Sequence, residues 1–288
     1  MSIKKRNKLI GFALVSLLSI GLFSGCTSNS QTNEEKQDSK TITVIGSTSV
    51  TPVAQELAKA FEAKNENIRI DVQGVGSTAG VKAVYEGIGQ IGMASRNLKS
   101  GEKEWNLNET IIAYDGIAVI AHPSNEVSNL KKDQINKIFK GEITNWKELG
   151  GVDKEIILIS REAGSGTRGA FEELNGLLKK NENGKKISVV KEDALIAEGN
   201  GAVKANVASK ENSIGYISLS YLDDSVKGLK VDEITASSEN IMNGSYKISR
   251  PFLMLTNGEV SDDTKAYLEF ILSKEGQEIV KKKLIPVN

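Results

Sequence analysis

The segment SREAGSGTRGAF, residues 160–171, places arginine, serine, threonine and glycine side by side. It follows an apolar run, residues 156–159, that is typical of a buried strand, and the apolar residues after it have the spacing of a helix. The first N–H groups of a helix lack internal partners and lie at the positive end of the helix dipole, so such a corner can hold an anion. A dinucleotide, a small anion and no ligand at all are the competing interpretations.

The same order of strand, Gly/Ser/Thr loop and helix occurs twice more. The loop GSTS, residues 46–49, follows the β-branched run 41–45, and the loop GVGSTAG, residues 74–80, follows the alternating pattern of 68–72. A single corner of this kind usually does no more than cap its helix. Three such corners, one of them headed by Arg161, favour a site for a small anion, and the glycines allow the backbone to approach it closely.

Two other classes of site are disfavoured by the sequence. Residues 164–169 match the dinucleotide pattern G-x-G-x-x-G, with Glu192 and Asp193 about 20 residues further on, but four residues separate the strand from the first glycine and spoil the tight turn. The only histidine, His122, lies outside all three corners, which argues against a Ser-His-Asp hydrolase. Without clustered His or Cys we expect no transition metal and no cofactor.

The N-terminal end of the chain indicates export. A basic start is followed by an apolar stretch from Leu9 to Phe23 and then by small residues before Cys26, the only cysteine. This order resembles the bacterial lipoprotein signal, in which the cysteine carries the lipid. We therefore predict a signal peptide over residues 1–25, a lipid at Cys26 and a flexible tether over 26–40.

A formal net charge of zero indicates no general affinity for nucleic acid.

Longer motifs carry a resemblance to a known family. They are GSTSVTPVA, GVGSTAG, IGMASRNL, YDGIAVI, IFKGEITNW, SREAGSGTRGAF, IGYISLSYL and YKISRPF. Through them, residues 41–288 resemble the phosphate-binding lipoproteins of phosphate-specific ABC importers. The resemblance implies an α/β, two-lobed periplasmic-binding-protein-like (type II) fold, with a two-segment hinge and the ligand cleft between the lobes.

The resemblance also implies a set of phosphate-binding residues. In this sequence they are Thr48, Ser49, Ser77, Ser95, Arg96, Asp115, Arg161, Ser165, Gly166 and Thr167. Many members have an aspartate after the serine at the position where this chain has Arg96. We expect Asp115 to replace that aspartate as the acceptor of the phosphate proton. Because sulfate carries no such proton at neutral pH, this role predicts that sulfate is rejected.

The layout of the lobes follows from two predicted crossings. The strand from Gly116 to Ala121 is expected to enter the second lobe, and the segment from Lys247 to Leu255 to return. Lobe one is then 41–119 plus 250–288, and lobe two is 120–249. Four further side chains are expected to play no part in binding: Trp105 and Trp146 as packing residues, and Arg168 and Arg250 as surface or hinge charges.

We therefore predict a lipid-anchored, extracytoplasmic receptor for inorganic phosphate that is not an enzyme. Its partners would be the permease and ATPase subunits of the importer and, through Cys26, the membrane surface. We expect the receptor to act as a monomer. A receptor for another tetrahedral oxyanion, such as sulfate or molybdate, and an exported serine hydrolase are the alternatives.

Overall fold

The computed structural model describes residues 40–288. The predicted signal peptide, the lipid site at Cys26 and the tether up to residue 39 lie outside these described residues. Within the described part of the chain, no helix combines the length and the apolar character needed to cross a membrane.

The strands, numbered in chain order, are β1 (Lys40–Gly46), β2 (Ile68–Gly74), β3 (Ile91–Ala94), β4 (Asn108–Ala121), β5 (Asn129–Leu130), β6 (Ile157–Arg161), β7 (Leu178–Lys180), β8 (Lys186–Ser188), β9 (Leu195–Ala197), β10 (Ser213–Ser218), β11 (Lys227–Gly228), β12 (Lys230–Val231) and β13 (Ser249–Thr256). The helices are α1 (Thr51–Glu62), α2 (Ser77–Tyr85), α3 (Ser100–Lys103), α4 (Lys132–Lys140), α5 (Gly166–Leu174), α6 (Gly199–Ser209), α7 (Ser238–Met242), α8 (Asp262–Leu272) and α9 (Lys274–Lys281). Two short 3-10 turns, Trp146–Leu149 and Leu219–Tyr221, complete the described chain.

The main sheet has the strand order β2-β1-β3-β13-β4-β10-β6-β9, with β11 paired to β4. The strands β1, β2 and β3 run parallel to one another, as do β10, β6 and β9. Their β-branched, apolar sequences suit strands that are covered by helices. Loops that follow parallel strands meet at one edge of the sheet, so the topology can bring distant corners together.

The long strand β4 joins the two halves of the sheet. Its residues 108–116 pair antiparallel with β13, and its residues 117–121 pair antiparallel with β10. The second crossing is made by β13, whose Ser249 lies opposite Gly116. The lobe boundaries predicted near 119 and 250 fall within these two strands.

Each half of the sheet has its own hydrophobic core. In the half built on β1 and β3, Phe61 packs against Tyr267 with ring centroids 5.1 Å apart. In the half built on β6 and β10, Phe171 stacks on Tyr216 at 3.9 Å. Burial of such rings supplies most of the packing energy of a core of this size.

The two tryptophans have the packing roles that the sequence predicts. Trp146 is fully buried in the core around β6 and β10, and its indole N–H donates to the carbonyl of Asn212 at 2.8 Å. Trp105 stacks on Tyr85 with ring centroids 4.4 Å apart. Neither ring makes a hydrogen bond to the corners described below.

Candidate anion-binding site

Four helices begin at one place between the two halves of the sheet. Three of them follow the corners predicted from the sequence: α1 after residues 46–49, α2 at Ser77, and α5 at Gly166. The fourth is α6, which begins at Gly199 directly after β9 and was not predicted. A helix start presents backbone N–H groups and the positive end of the helix dipole, so the four first turns give this place the character of an anion site.

Hydrogen bonds between the corners fix this arrangement. The hydroxyls of Ser49 and Thr167 lie 2.9 Å apart, and the Asn200 side-chain amide donates to the Ser49 hydroxyl at 2.9 Å. The backbone N–H of Thr78 donates to the carbonyl of Gly164 at 3.1 Å. Each of these bonds joins one half of the sheet to the other, so the corners close upon one another.

A second group of hydroxyls surrounds Ser95, the residue that follows β3. Its Oγ accepts a hydrogen bond from Ser47 at 2.8 Å and lies 3.3 Å from the Oγ of Ser77. Gly166 faces this pair from the other half. A Cβ at Gly166 would lie 2.2 Å from the Oγ of Ser77 and 2.5 Å from that of Ser95, so only glycine allows this approach.

We refer to the buried polar residues at this point as the polar cluster. They are Ser47, Ser49, Ser77, Ser95, Asp115, Arg161, Thr167, Asn200, Ser218 and Arg250. All are buried, and each has at least one hydrogen-bond partner within the cluster or at its edge, as buried polar groups require.

Arg161, predicted as an anion ligand, is 1% exposed at the end of β6. Its Nε and Nη2 donate to the Glu162 carboxylate at 2.8 and 2.7 Å, which fixes one edge of the guanidinium. The rest of the guanidinium faces the cluster, with Nη1 3.4 Å from Asn200 Oδ1 and Nη2 3.3 Å from Thr48 Oγ1. Burial raises the pKa of Glu162, but the hydrogen bonds and charge of Arg161 outweigh it and hold that pKa below its usual value.

Asp115, the predicted proton acceptor, is fully buried and paired with Arg250. Its Oδ2 accepts from Arg250 Nε at 3.1 Å and from Nη2 at 2.8 Å, while Oδ1 accepts from the Ser218 hydroxyl at 2.9 Å. Burial raises the pKa of Asp115, because the charged form is costly away from water, and the contacts with Arg250 reduce that rise.

Arg250 corrects the expectation of a surface or hinge charge. It is 3% exposed, and it donates to the hydroxyls of Ser49 at 3.1 Å and Ser95 at 3.3 Å. Its position follows from the register of the sheet, since Arg250 on β13 lies directly opposite Asp115 on β4. Burial, and to a smaller extent the charge of Arg161, lower the pKa of Arg250.

Arg96 is the one predicted ligand whose side chain the structure does not bring to the polar cluster. Its Nη1 and Nη2 donate to the Glu102 carboxylate at 2.7 and 2.8 Å, and Nη2 also donates to Thr78 Oγ1 at 3.2 Å. Neighbouring side chains in an extended segment point to opposite faces, so with Ser95 inside the cluster Arg96 points away from it.

The remaining predicted residues lie at the edge of the cluster. Thr48 approaches Arg161 as described, and Ser165 caps α5, its hydroxyl accepting from the backbone N–H of Arg168 at 3.1 Å. Arg168, with a side chain 21% exposed, pairs with Glu172 and donates to the Arg161 carbonyl. Arg168 therefore holds the backbone of Arg161 in place without entering the cluster.

Sequence reasoning missed Asn200, Ser218 and Ser47 as members. Asn200 joins both halves, because its amide donates to Ser49 and its Oδ1 accepts from Arg161 and from the backbone N–H of Ser218 at 3.0 Å. The corner before α6 lacks the Ser/Thr signature of the other three, so only its position after the short strand β9 could have indicated it.

The cluster offers many hydrogen-bond donors and two guanidiniums, and its one carboxylate, Asp115, is paired with Arg250. The only histidine, His122, is outside it, with its Nδ1 2.7 Å from the hydroxyl of Ser124. Among the described residues, no group of three His, Cys, Asp or Glu side chains could hold a metal ion. The arrangement can bind a small oxyanion, and no histidine is hydrogen-bonded to its serines as the general base of a Ser-His-Asp hydrolase would be.

Comparisons with known proteins agree with this chemistry. The model of the PBP superfamily domain matches residues 31–275. The phosphate-binding protein PstS of Borreliella burgdorferi is 31% identical over 274 residues, covering 93% of this chain and 94% of that protein. A structure from Clostridium perfringens, described as a phosphate ABC transporter substrate-binding protein with bound phosphate, is 47% identical, covers 86% of this chain and 100% of its own, and superposes with a TM-score of 0.82.

A second solved structure, an ABC-type phosphate transport receptor from Vibrio cholerae, is 36% identical with a TM-score of 0.72 over 86% of this chain and 100% of its own. These similarities confirm the predicted fold class, an α/β fold of the two-lobed type. The two halves of the sheet correspond to the two lobes, and the polar cluster lies between them.

Proposed function

We propose that this chain, which belongs to the PBP superfamily and within it to the family of PstS phosphate-binding proteins, binds inorganic phosphate for an ABC importer. The observation that carries the proposal is the convergence of four helix N-termini and the buried Arg161 on one cluster of hydroxyls. It works outside the cytoplasm, as receptors of such importers do, and it acts by binding, not by catalysis.

The donors match what a tetrahedral phosphate needs. Backbone N–H groups at helix starts and serine or threonine hydroxyls can each donate to one of four oxygens that point in different directions. Arg161 adds charge-assisted hydrogen bonds, which are about twice as strong as neutral ones. Glu162 fixes one edge of that guanidinium in advance, so little order is lost on binding.

Nine of the ten residues predicted from the sequence lie at the proposed phosphate site, as ligands or as positioning residues: Thr48, Ser49, Ser77, Ser95, Asp115, Arg161, Ser165, Gly166 and Thr167. Arg96 is left out because its guanidinium pairs with Glu102 away from the cluster. The residues come from both lobes, so the anion would link them and favour the closed cleft, a hinge movement of the kind known for two-lobed receptors.

Delivery and anchoring complete the proposal. The closed, loaded receptor would dock as a monomer on the permease, whose ATPase subunits drive import. A lipid on Cys26 would hold the receptor at the membrane surface, with residues 27–40 as the tether. The basic start, the apolar stretch and the single cysteine of the sequence support this anchor.

A calorimetric titration of residues 41–288 with phosphate, sulfate and molybdate tests the function. We expect saturable heat with phosphate and little competition from sulfate at matched concentration. Preference for sulfate or molybdate would instead identify a receptor for another oxyanion. Turnover of a chromogenic phosphate ester would point to a hydrolase, which the distance of His122 from the cluster disfavours.

A further inference from the structure

Arg250 occupies a position in the polar cluster that matches that of Arg161. In each arginine the edge formed by Nε and Nη2 pairs with an acidic side chain, Glu162 for Arg161 and Asp115 for Arg250. In each, the other side of the guanidinium faces the cluster. Arg250 reaches the hydroxyls of Ser49 and Ser95, the two serines that follow β1 and β3.

The carboxylate of Asp115 is already occupied by protein donors. Its Oδ2 accepts two bonds from Arg250 and its Oδ1 accepts one from Ser218. An ionised carboxylate has about four acceptor positions. Three of these positions are therefore already filled by donors from the protein, and both donors to Oδ2 come from Arg250.

The pair of Arg250 and Asp115 is built into the two strands that cross between the lobes. The residues lie opposite each other in the antiparallel ladder of β13 and β4, where facing Cβ atoms are about 5 Å apart. A hinge movement about these two strands would leave their ladder intact. The guanidinium is therefore preorganised at the base of the cleft, unlike contacts such as Ser49 to Thr167 that join the two lobes.

The buried arginines and the helix starts of the cluster together favour a bound anion. Arg161 and Arg250 are buried near each other, and Asp115 is the only fully buried carboxylate beside them, while the Glu162 side chain is 25% exposed. Each guanidinium is paired with one carboxylate, so the formal charges of these four groups balance. The helix starts at the same site add the positive ends of their dipoles, which favour a bound anion such as phosphate between the two arginines.

Resting on the proposed function, the geometry points to Arg250 as a second arginine ligand of the bound phosphate, with Asp115 and Ser218 as positioning residues that hold its guanidinium. Asp115 then acts through Arg250 and does not accept the phosphate proton. This assignment differs from the role that the sequence predicts for Asp115, and the two roles make opposite predictions for double variants.

The test is a phosphate titration of the parent and four variants: Arg250→Gln, Arg250→Lys, Asp115→Asn, and Arg250→Gln combined with Asp115→Asn. Loss of the charge-assisted bonds in Arg250→Gln should weaken phosphate by about ten- to a hundredfold. Arg250→Lys should recover part of the affinity, since it restores the charge without the two-pronged geometry. Asp115→Asn should cost less than Arg250→Gln.

The decisive measurement is the double variant. If Asp115 acts only through Arg250, adding Asp115→Asn to Arg250→Gln should change affinity by no more than about twofold. The double variant also replaces the ion pair by two neutral amides, so it keeps the test valid if Arg250→Gln alone fails to fold. A further loss in the double variant, or new competition by sulfate in Asp115→Asn, would show that Asp115 contacts the ligand and would overturn the inference.

Arg96→Gln is the matched control, because it removes a guanidinium from an equally buried pair, with Glu102, that makes no bond to the cluster. We expect Arg96→Gln to lower the melting temperature without ligand but to leave phosphate affinity near that of the parent. Equal loss of affinity in both variants would reflect general destabilisation and would also overturn the inference. A parent that gives no heat with phosphate would refute the proposed function itself, before any variant is compared.

Discussion

Gly166→Ala tests whether the two lobes must touch around the bound anion. The added Cβ would lie 2.2 Å from the Oγ of Ser77 and 2.5 Å from the Oγ of Ser95, and both serines are fully buried. Ordinary contact needs about 3.4 Å or more, so the lobes would have to separate by about 1 Å. The bond of 2.9 Å between Ser49 and Thr167 spans the same interface and would be stretched beyond hydrogen-bonding range.

Overpacking of this kind raises the free energy of the overpacked state by about 1–3 kcal/mol. Because the clash exists only when the cleft is closed, the cost falls on the closed, phosphate-bound state and lowers apparent affinity by about five- to a hundredfold. The melting temperature without phosphate should change little, since opening the cleft relieves the clash. Calorimetry gives the affinity, and small-angle scattering with saturating phosphate reports whether the cleft still closes.

Gly164→Ala is the control for this experiment. It adds the same methyl group two residues earlier, in the loop before α5, but no atom of the described residues lies within 4 Å of its Cβ position. We expect Gly164→Ala to bind phosphate like the parent. The reasoning fails if Gly166→Ala keeps the parent's affinity within about twofold, or if both alanine variants lose affinity equally.

Three further predictions concern charge and anchoring. Arg161→Ala should weaken phosphate by about ten- to a hundredfold in calorimetry, and unchanged affinity would remove Arg161 from the site. Burial raises the pKa of Glu102, but the hydrogen bonds and charge of Arg96 outweigh burial and bring this pKa below its ordinary value of 4.5. The stability that the pair contributes is therefore complete above pH 4.5, and it is lost as the pH falls through the pKa of the folded state. Melting curves of Glu102→Gln between neutral and acidic pH should accordingly show a weaker decline with acid than the parent's, and parallel curves would contradict the assignment. Cys26→Ala in the full-length chain should leave the membrane fraction while phosphate binding is kept, and a variant that fractionates like the parent would refute the lipid anchor.

The three Gly/Ser/Thr corners could be predicted from the sequence because each is a local feature. A strand, a Gly/Ser/Thr loop and a helix follow one another within about 20 residues, and the unpaired N–H groups at a helix start depend on the backbone alone. The motifs then identified the two-lobed fold, and with it the expectation that the corners meet. The structure brings Ser49, Ser77 and Thr167 together as that expectation requires.

The roles of the arginines could not be predicted in the same way. In the sequence, Arg250 precedes a proline in a segment that is typical of a hinge, and its partner Asp115 is 135 positions away. Only the register of β13 against β4 places the two side chains face to face and buries them. For Arg96 the error is in the other direction. Its place beside Ser95 in the sequence predicts a ligand, but in the structure its guanidinium pairs with Glu102.

The sequence by itself therefore predicted the α/β fold and the three Gly/Ser/Thr helix starts, because motifs and short-range patterns indicate both. The export signal stays a prediction, since it lies outside the described residues. The tertiary structure alone decided which charges share the buried site. It placed Asn200 on a fourth helix start, turned Arg96 away and set Arg250 against Asp115. The physical reason is that burial and ion pairing depend on neighbours brought together by strand register and lobe packing, which no local pattern of residues records.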